Sequence, residues 1–155
     1  MKLSQVTNPA WVAYLAPLVE QYCKKAAFPN TSYHAMVTYL QASVQNPNVP
    51  TELWVVVDDE NEPIAFAHWG IKGMPFVATV HCDAMYSSDK EAVGPLMEQL
   101  GKYADHNNCV WFSGDIAKRK AAEAVLKRGR DYGLEFIVTP LVYVLGRKGA
   151  KPEIE

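Results

Sequence analysis

Three consecutive strand-like runs between Leu53 and Met85, with helical patterns on both sides, constrain this chain more than any other feature. Leu53-Trp54-Val55-Val56-Val57 is an unbroken run of apolar residues, mostly β-branched or aromatic. The polar stretch Asp58 to Pro63 ends it, and a second run follows from Ile64 to Ile71. Gly73-Met74-Pro75 makes another turn, and Phe76 to Met85 is the third run. Apolar runs joined by short polar or Gly/Pro turns predict an antiparallel meander.

Around that meander the period changes. Lys2 to Thr7 predicts a short first strand. Asn8-Pro9 opens a helix, with Asn as cap and Pro at the first helical position. Trp11, Tyr14, Leu15, Leu18, Val19 and Tyr22 recur at helical spacing, and Pro17 should kink or split that helix. Phe28-Pro29-Asn30 breaks it. Thr31 or Ser32 then caps a second helix carrying Ala35, Met36, Tyr39, Leu40 and Val44 on one face. After the meander come a helix from about Pro95 to His106, a short strand at Cys109–Phe112 and a helix from Ile116 to Tyr132, closed by Gly133. Leu134 to Leu145 is β again, with Thr139-Pro140 interrupting it. Residues 1–147 form one domain, and 148–155 read as a mobile charged tail.

Composition narrows the partners. The chain has 155 residues, net charge -2 and pI about 6.1, so bulk charge points to neither nucleic acid nor membrane. No stretch approaches the ~18 apolar residues of a membrane span. Cys23, Cys82 and Cys109 have neither metal-ligand spacing nor a disulfide framework, which fits a reducing, cytoplasmic setting. No secretory leader is expected from the first residues.

The turn Tyr86-Ser87-Ser88-Asp89-Lys90-Glu91-Ala92-Val93-Gly94-Pro95 joins the third run to the next helix. Backbone N–H groups gather at such a turn and can cradle an anion. Asp89 and Glu91 oppose this. Two unit charges ~5 Å apart at an effective dielectric of ~20 repel by roughly 3 kcal/mol. Ser88 with Glu91 also fits a capping box, in which side chains rather than a ligand satisfy the helix start.

The order strand, two helices, three antiparallel strands, helix, strand, helix, strand pair resembles the GNAT (GCN5-related N-acetyltransferase) family over residues 1–147. The hairpin Trp54 to Ala67, the helix segment Leu96-Met97-Glu98-Gln99-Leu100 and the helix end Tyr132-Gly133-Leu134 resemble the corresponding family segments. The resemblance implies an α+β, three-layer fold: a mixed, mostly antiparallel sheet flanked by about four helices. It implies acetyl-CoA in a gap between Thr79–Tyr86 and Cys109–Gly114. The pantetheine arm would run along Cys82, Ala84 and Met85, and the phosphates would lie at Ser87, Ser88, Lys90, Val93 and Gly94. In the family that loop has the pattern Gln/Arg-x-x-Gly-x-Gly/Ala. Here no Gln or Arg opens it and only Gly94 remains.

Three side chains are catalytic candidates. His81 and Asp83 share one strand face by alternation, with Cys82 on the other, so a carboxylate lies beside an imidazole base. The same pattern also suits a solvated strand face. His68 on the preceding strand would join them if the register allows. Tyr132 stands near the position of the family's general acid, or simply closes the helix by packing. No metal site is expected. Lys118, Arg119, Lys120, Lys127, Arg128 and Arg130 gather on the last helix. They make either a solvated face or a docking patch for an acidic protein, the 3′-phosphate of CoA or nucleic acid.

Two functions remain open. One is acetyl transfer to an amine of a small molecule or protein. The other is a non-catalytic assembly module, acting with a protein partner or as a homo-oligomer, like the GNAT-like virion proteins of short-tailed phages. The second would place the chain in a virion.

Overall fold

The structure is a computed structural model that describes residues 1–74, 77–109, 111–114 and 116–131. The expected strands at 134–145, Gly133, Tyr132 and the tail at 148–155 lie outside the described residues.

The chain runs β1 (Lys2–Gln5), a 3₁₀ segment (Pro9–Leu15), α1 (Ala16–Lys25), α2 (Tyr33–Gln45), β2 (Thr51–Val57), β3 (Pro63–Met74) and β4 (Val77–Ser87). A 3₁₀ turn (Lys90–Ala92), α3 (Val93–His106), β5 (Trp111–Gly114) and α4 (Arg119–Asp131) follow. The described strands form one sheet in the order β1-β2-β3-β4-β5. Neighbours pair antiparallel except β4 and β5, which are parallel. Short connections join β2 to β3 and β3 to β4, the first helical segments and α2 join β1 to β2, and the α3 crossover makes the β4–β5 pair parallel.

Strand alternation divides the core. Val56, Ala65, Ala67, Trp69 and Val80 face α3 and pack with Leu96, Met97 and Leu100. Leu53, Val55, Phe66 and Ala84 face the opposite way, against Leu15, Leu18 and Val19 of the first helical segments and Leu40 of α2. Both faces of β2 and β3 are therefore covered, which explains the unbroken apolar runs. The three-layer α+β architecture expected from the sequence is present.

Local boundaries follow the capping chemistry. Asn8 Oδ1 accepts from Ala10 N at 2.9 Å and starts the 3₁₀ segment. Pro17 does split the helix: the 3₁₀ geometry passes into α1 at Ala16, and Pro17 sits in the first turn, where its missing N–H costs nothing. Ser32 Oγ caps α2, accepting from Ala35 N at 3.3 Å, while the Thr31 hydroxyl turns back to the Phe28 carbonyl. At the hairpin tip, Asp58 Oδ1 accepts from the N–H groups of Glu60 and Glu62, and Asn61 adopts φ 64°. No helix among the described residues is long and apolar enough to cross a membrane.

Gly70 on β3 has no room for a side chain. A Cβ there would lie 2.7 Å from Thr51 Cγ2 and 3.0 Å from the Pro50 carbonyl oxygen. That carbonyl is fixed by hydrogen bonds from Ile71 N and the Tyr103 hydroxyl. Gly70→Ala is expected to destabilise by about 1–3 kcal/mol, measured by urea unfolding.

Candidate active site at the β4 bulge

β3 and β4 pair residue for residue except at one point. His68 lies opposite Ala84 and Trp69 opposite Cys82, so Asp83 is the extra residue of a β-bulge. On its other side β4 pairs with β5 only from Thr79 to Cys82, opposite Trp111 to Gly114. β4 continues to Ser87, so residues 83–87 have no strand neighbour on that side among the described residues. Gly114 marks the divergence: a Cβ there would lie 3.2 Å from the Cys82 carbonyl oxygen. The bulge and the open strand edge thus begin at the same residue.

Polar side chains from four elements meet there. Asp83 Oδ2 accepts the Tyr39 hydroxyl of α2 at 2.6 Å and lies 3.0 Å from His68 Nδ1 of β3. Asp83 Oδ1 is 3.4 Å from His81 Nε2, and His81 Nδ1 is 2.8 Å from Ser113 Oγ of β5. His68 is fully buried, with its ring against that of Tyr39 at 5.3 Å and its Nε2 without a hydrogen-bond partner among the described residues. An ionised carboxylate only accepts, so Nδ1 carries the His68 proton toward Asp83.

Burial alone would raise the Asp83 pKa. The hydrogen bonds from His68 and Tyr39, with smaller contributions from the charges of His68 and His81, outweigh it and hold the carboxyl below its ordinary value. Burial, and then the hydrogen bond to Asp83 and its charge, push the Tyr39 hydroxyl far above its usual range, so it stays a donor. Cys82 turns to the α3 face, as alternation predicts. Burial first, then the neighbouring Asp83 charge, push its thiol up to about 12, so it is protonated at neutral pH and a poor nucleophile. No lysine or arginine among the described residues lies within ion-pair distance of Asp83. The result is an oriented, half-buried anion whose partners are imidazoles and a phenol.

The loop after β4 is arranged differently from the capping box that its sequence suggests. Ser88 uses both its N–H and its hydroxyl on the Ile64 carbonyl, at 2.9 and 3.0 Å. Asp89 is the cap: its Oδ1 accepts from Glu91 N at 2.9 Å and its carbonyl from Ala92 N at 3.2 Å. The N–H of Asp89 goes to Ser87 Oγ, which in turn donates to the Asp89 carbonyl. α3 begins at Val93, two residues before Pro95, and Gly94 is buried in its first turn. The amides of residues 88, 89, 91 and 92 are therefore satisfied within the protein. The β4 edge leaves main-chain groups open to an extended ligand, whereas these four amides do not form an anion cradle.

Among the candidate residues, His81 and Asp83 are brought together, and His68 joins them. Cys82, Ala84 and Met85 lie along β4 at the divergence. Ser87, Ser88, Lys90, Val93 and Gly94 lie at or after its end. Sequence reasoning missed Tyr39, which its helical period assigns to the core, and Ser113, which carries no motif.

Several solved structures of acetyltransferases share this architecture. The chain is similar to an aminoglycoside 6′-N-acetyltransferase from Acinetobacter haemolyticus, with 14% identity, TM-score 0.69, and 95% of this chain and 99% of that one covered. It is similar to a predicted acetyltransferase from Clostridium acetobutylicum solved with acetyl-CoA, with 15% identity, TM-score 0.70 and coverage of 94% and 95%. It is also similar to a ribosomal-protein-alanine N-acetyltransferase from Brucella melitensis biovar Abortus 2308, with 15% identity, TM-score 0.62 and coverage of 95% and 100%. No protein-family model and no curated protein sequence matches the chain. Identities this low speak to architecture alone, and that architecture is the GNAT-like fold.

Proposed function

We propose that this protein is an N-acyltransferase that uses acetyl-CoA and accepts a cationic primary amine over the β4 bulge. The observation that carries this reading is Asp83: a half-buried carboxylate held ionised by His68 and Tyr39, with no cationic lysine or arginine beside it among the described residues. A half-buried carboxylate that faces no lysine or arginine among the described residues is a fitting counter-ion for an ammonium ligand. The site opens beside a strand edge that an extended thioester arm can pair with. Acetyl-CoA would supply the activated acetyl group, the C–N bond forming as the C–S bond breaks.

The chain's own residues have distinct roles. Asp83 binds and orients the acceptor nitrogen, helped by the Tyr39 hydroxyl. A low carboxyl pKa makes Asp83 a weak base but a lasting anion. His81 accepts the proton that the amine must lose, since imidazole is the side chain suited to that task near neutral pH. Asp83 on one side and Ser113 on the other fix its ring.

A second reading, a non-catalytic GNAT-fold assembly module such as a virion component, draws support from the self-satisfied loop and its two carboxylates. Thermal shift with millimolar acetyl-CoA, followed by free-thiol release with a panel of mono- and polyamines, separates the two. The enzyme reading expects a Tm rise of several degrees and amine-dependent thiol release. No shift and no thiol release, together with a stable homo-oligomer or complex, would favour the module.

A further inference from the structure

Ser113 carries no motif, yet its hydroxyl meets an imidazole. The hydroxyls of Thr31, Ser43, Ser87 and Ser88 instead donate to main-chain carbonyls, which cannot remove a proton. Ser113 Oγ lies 2.8 Å from His81 Nδ1, and the two residues are register partners in the parallel β4–β5 pair. Across the same ring, His81 Nε2 is 3.4 Å from Asp83 Oδ1. That contact falls in the looser range of base–orienter pairs.

These neighbours decide which nitrogen carries the proton. Asp83 is an anion and can only accept, so a neutral His81 turns its Nε2–H toward it. Nδ1 then presents its lone pair, and the Ser113 hydroxyl donates to it. Nucleophile, base and orienting carboxylate thus stand in one line of contacts. Position adds to this. Ser113 is half-buried, and Gly114 directly after it marks the divergence of β5 from β4. The hydroxyl therefore stands at the mouth of the open β4 edge. The nearby Cys82 thiol faces α3 instead and keeps its proton.

We infer that Ser113 is a nucleophile, with His81 as its base and Asp83 as the orienting anion, and that it gives the protein a second activity. That activity is hydrolysis of an activated acyl group, a thioester or ester, through an acyl-serine. Ser113 Oγ attacks the acyl carbonyl and its proton passes to His81 Nδ1. The new C–O bond forms, the C–S bond of a thioester breaks, and the leaving thiolate takes that proton and departs as the thiol. Water then attacks the acyl-serine and gives a proton to Nδ1. The bond from the acyl carbon to Oγ breaks, and Oγ takes the proton back. The products are a carboxylic acid and a thiol. Asp83 stabilises the imidazolium formed in each step. For a thioester donor the inference rests on the acyl-donor reading above; an aryl ester tests Ser113 apart from it.

The experiment mixes the wild type, Ser113→Ala and Ser113→Cys with acetyl-CoA and, separately, with p-nitrophenyl acetate, in both cases without amine. Release of thiol or nitrophenolate is followed, and acid-quenched protein is mapped by peptide mass spectrometry. The wild type is expected to release both leaving groups and to carry an acetyl group on Ser113. Ser113→Ala should lose the adduct and slow amine-free release by about 100-fold or more. Ser113→Cys should keep an adduct, now a thioester that neutral hydroxylamine removes. Where deacylation outruns trapping, diisopropyl fluorophosphate should label Ser113 and stop release, because water does not resolve that adduct. Amine-free release by a folded Ser113→Ala at the wild-type rate would overturn the inference. So would a wild-type adduct mapped to another residue, a result that holds even if Ser113→Ala fails to fold. No amine-free release from either donor would overturn it too, and amine-dependent thiol release in the same protein would leave the acyltransferase reading standing. Reaction of p-nitrophenyl acetate at Ser113, with acetyl-CoA inert whether or not amine is present, would uphold the nucleophile and remove acetyl-CoA as the donor.

Discussion

Asp83→Asn is expected to lower kcat/KM for the acceptor amine by roughly 10²- to 10⁴-fold while the protein stays folded. The substitution is nearly isosteric. The side-chain amide carbonyl it introduces would still accept from Tyr39 and His68, so the bulge keeps its hydrogen bonds. The charge is what disappears, and with it both the attraction for an ammonium group and the anion beside His81. The loss should be similar across the neutral range, because wild-type Asp83 is ionised throughout it. Stability carries a separate signature. A carboxyl whose folded pKa lies below its ordinary 3.8 stabilises the native state above that value, and the contribution vanishes as pH falls through the folded pKa. The stability difference between wild type and Asp83→Asn should therefore be constant from neutral pH down to the ordinary carboxyl range and shrink below it. Turnover within threefold of wild type would remove Asp83 from the chemistry. A stability difference that widens in acid would reverse the assigned direction of its pKa.

Which parts of this site the sequence reveals depends on how far apart the interacting residues lie. The shared face of His81 and Asp83 follows from strand alternation alone, a property of every extended backbone. Their meeting with His68 does not, because it depends on the bulge that puts Asp83 between two paired positions. The flanking residues, Cys82 and Ala84, give no sign of it: no glycine marks the bulge, and only the register with β3 defines it. Tyr39 comes from a helix 44 positions away and has the spacing of a core residue. The cap shows the same limit. Ser88 and Glu91 satisfy the local pattern, but the Ile64 carbonyl across the sheet claims Ser88, and Asp89 caps the 3₁₀ turn that leads into α3. Local rules located the turn, and a tertiary contact chose which residue caps it. The GNAT order of elements was legible because it is written in hydrophobic periodicity, whereas the role expected of Tyr132 lies outside the described residues.

The largest effect on stability is expected at Trp69, directly after His68 but on the opposite face. Its ring is fully buried, stacked near Trp54 at 6.5 Å and tilted toward Tyr103 at 6.3 Å, in the layer between β3 and α3. It also pairs with Cys82 at the edge of the bulge. Trp69→Ala should cost about 3–5 kcal/mol, which for a domain of this size lowers Tm by roughly 10 °C. Trp69→Phe offers a sharper test. The indole Nε1 is buried without a hydrogen-bond partner among the described residues, so the native state already bears the cost of an unsatisfied donor. Phenylalanine removes that donor while keeping most of the ring, so the lost packing is partly offset. Trp69→Phe is expected to cost less than a third of Trp69→Ala in urea unfolding. Because the ring faces α3, the folded Phe variant should keep wild-type affinity for the acceptor amine at Asp83. Equal destabilisation by Phe and Ala would show that the indole N–H has a partner in solution, a buried water being the simplest. A Phe variant that folds well but loses acceptor affinity would show that the Trp69–Cys82 pairing sets the position of the bulge, coupling the α3 core to the site on the other side of the sheet.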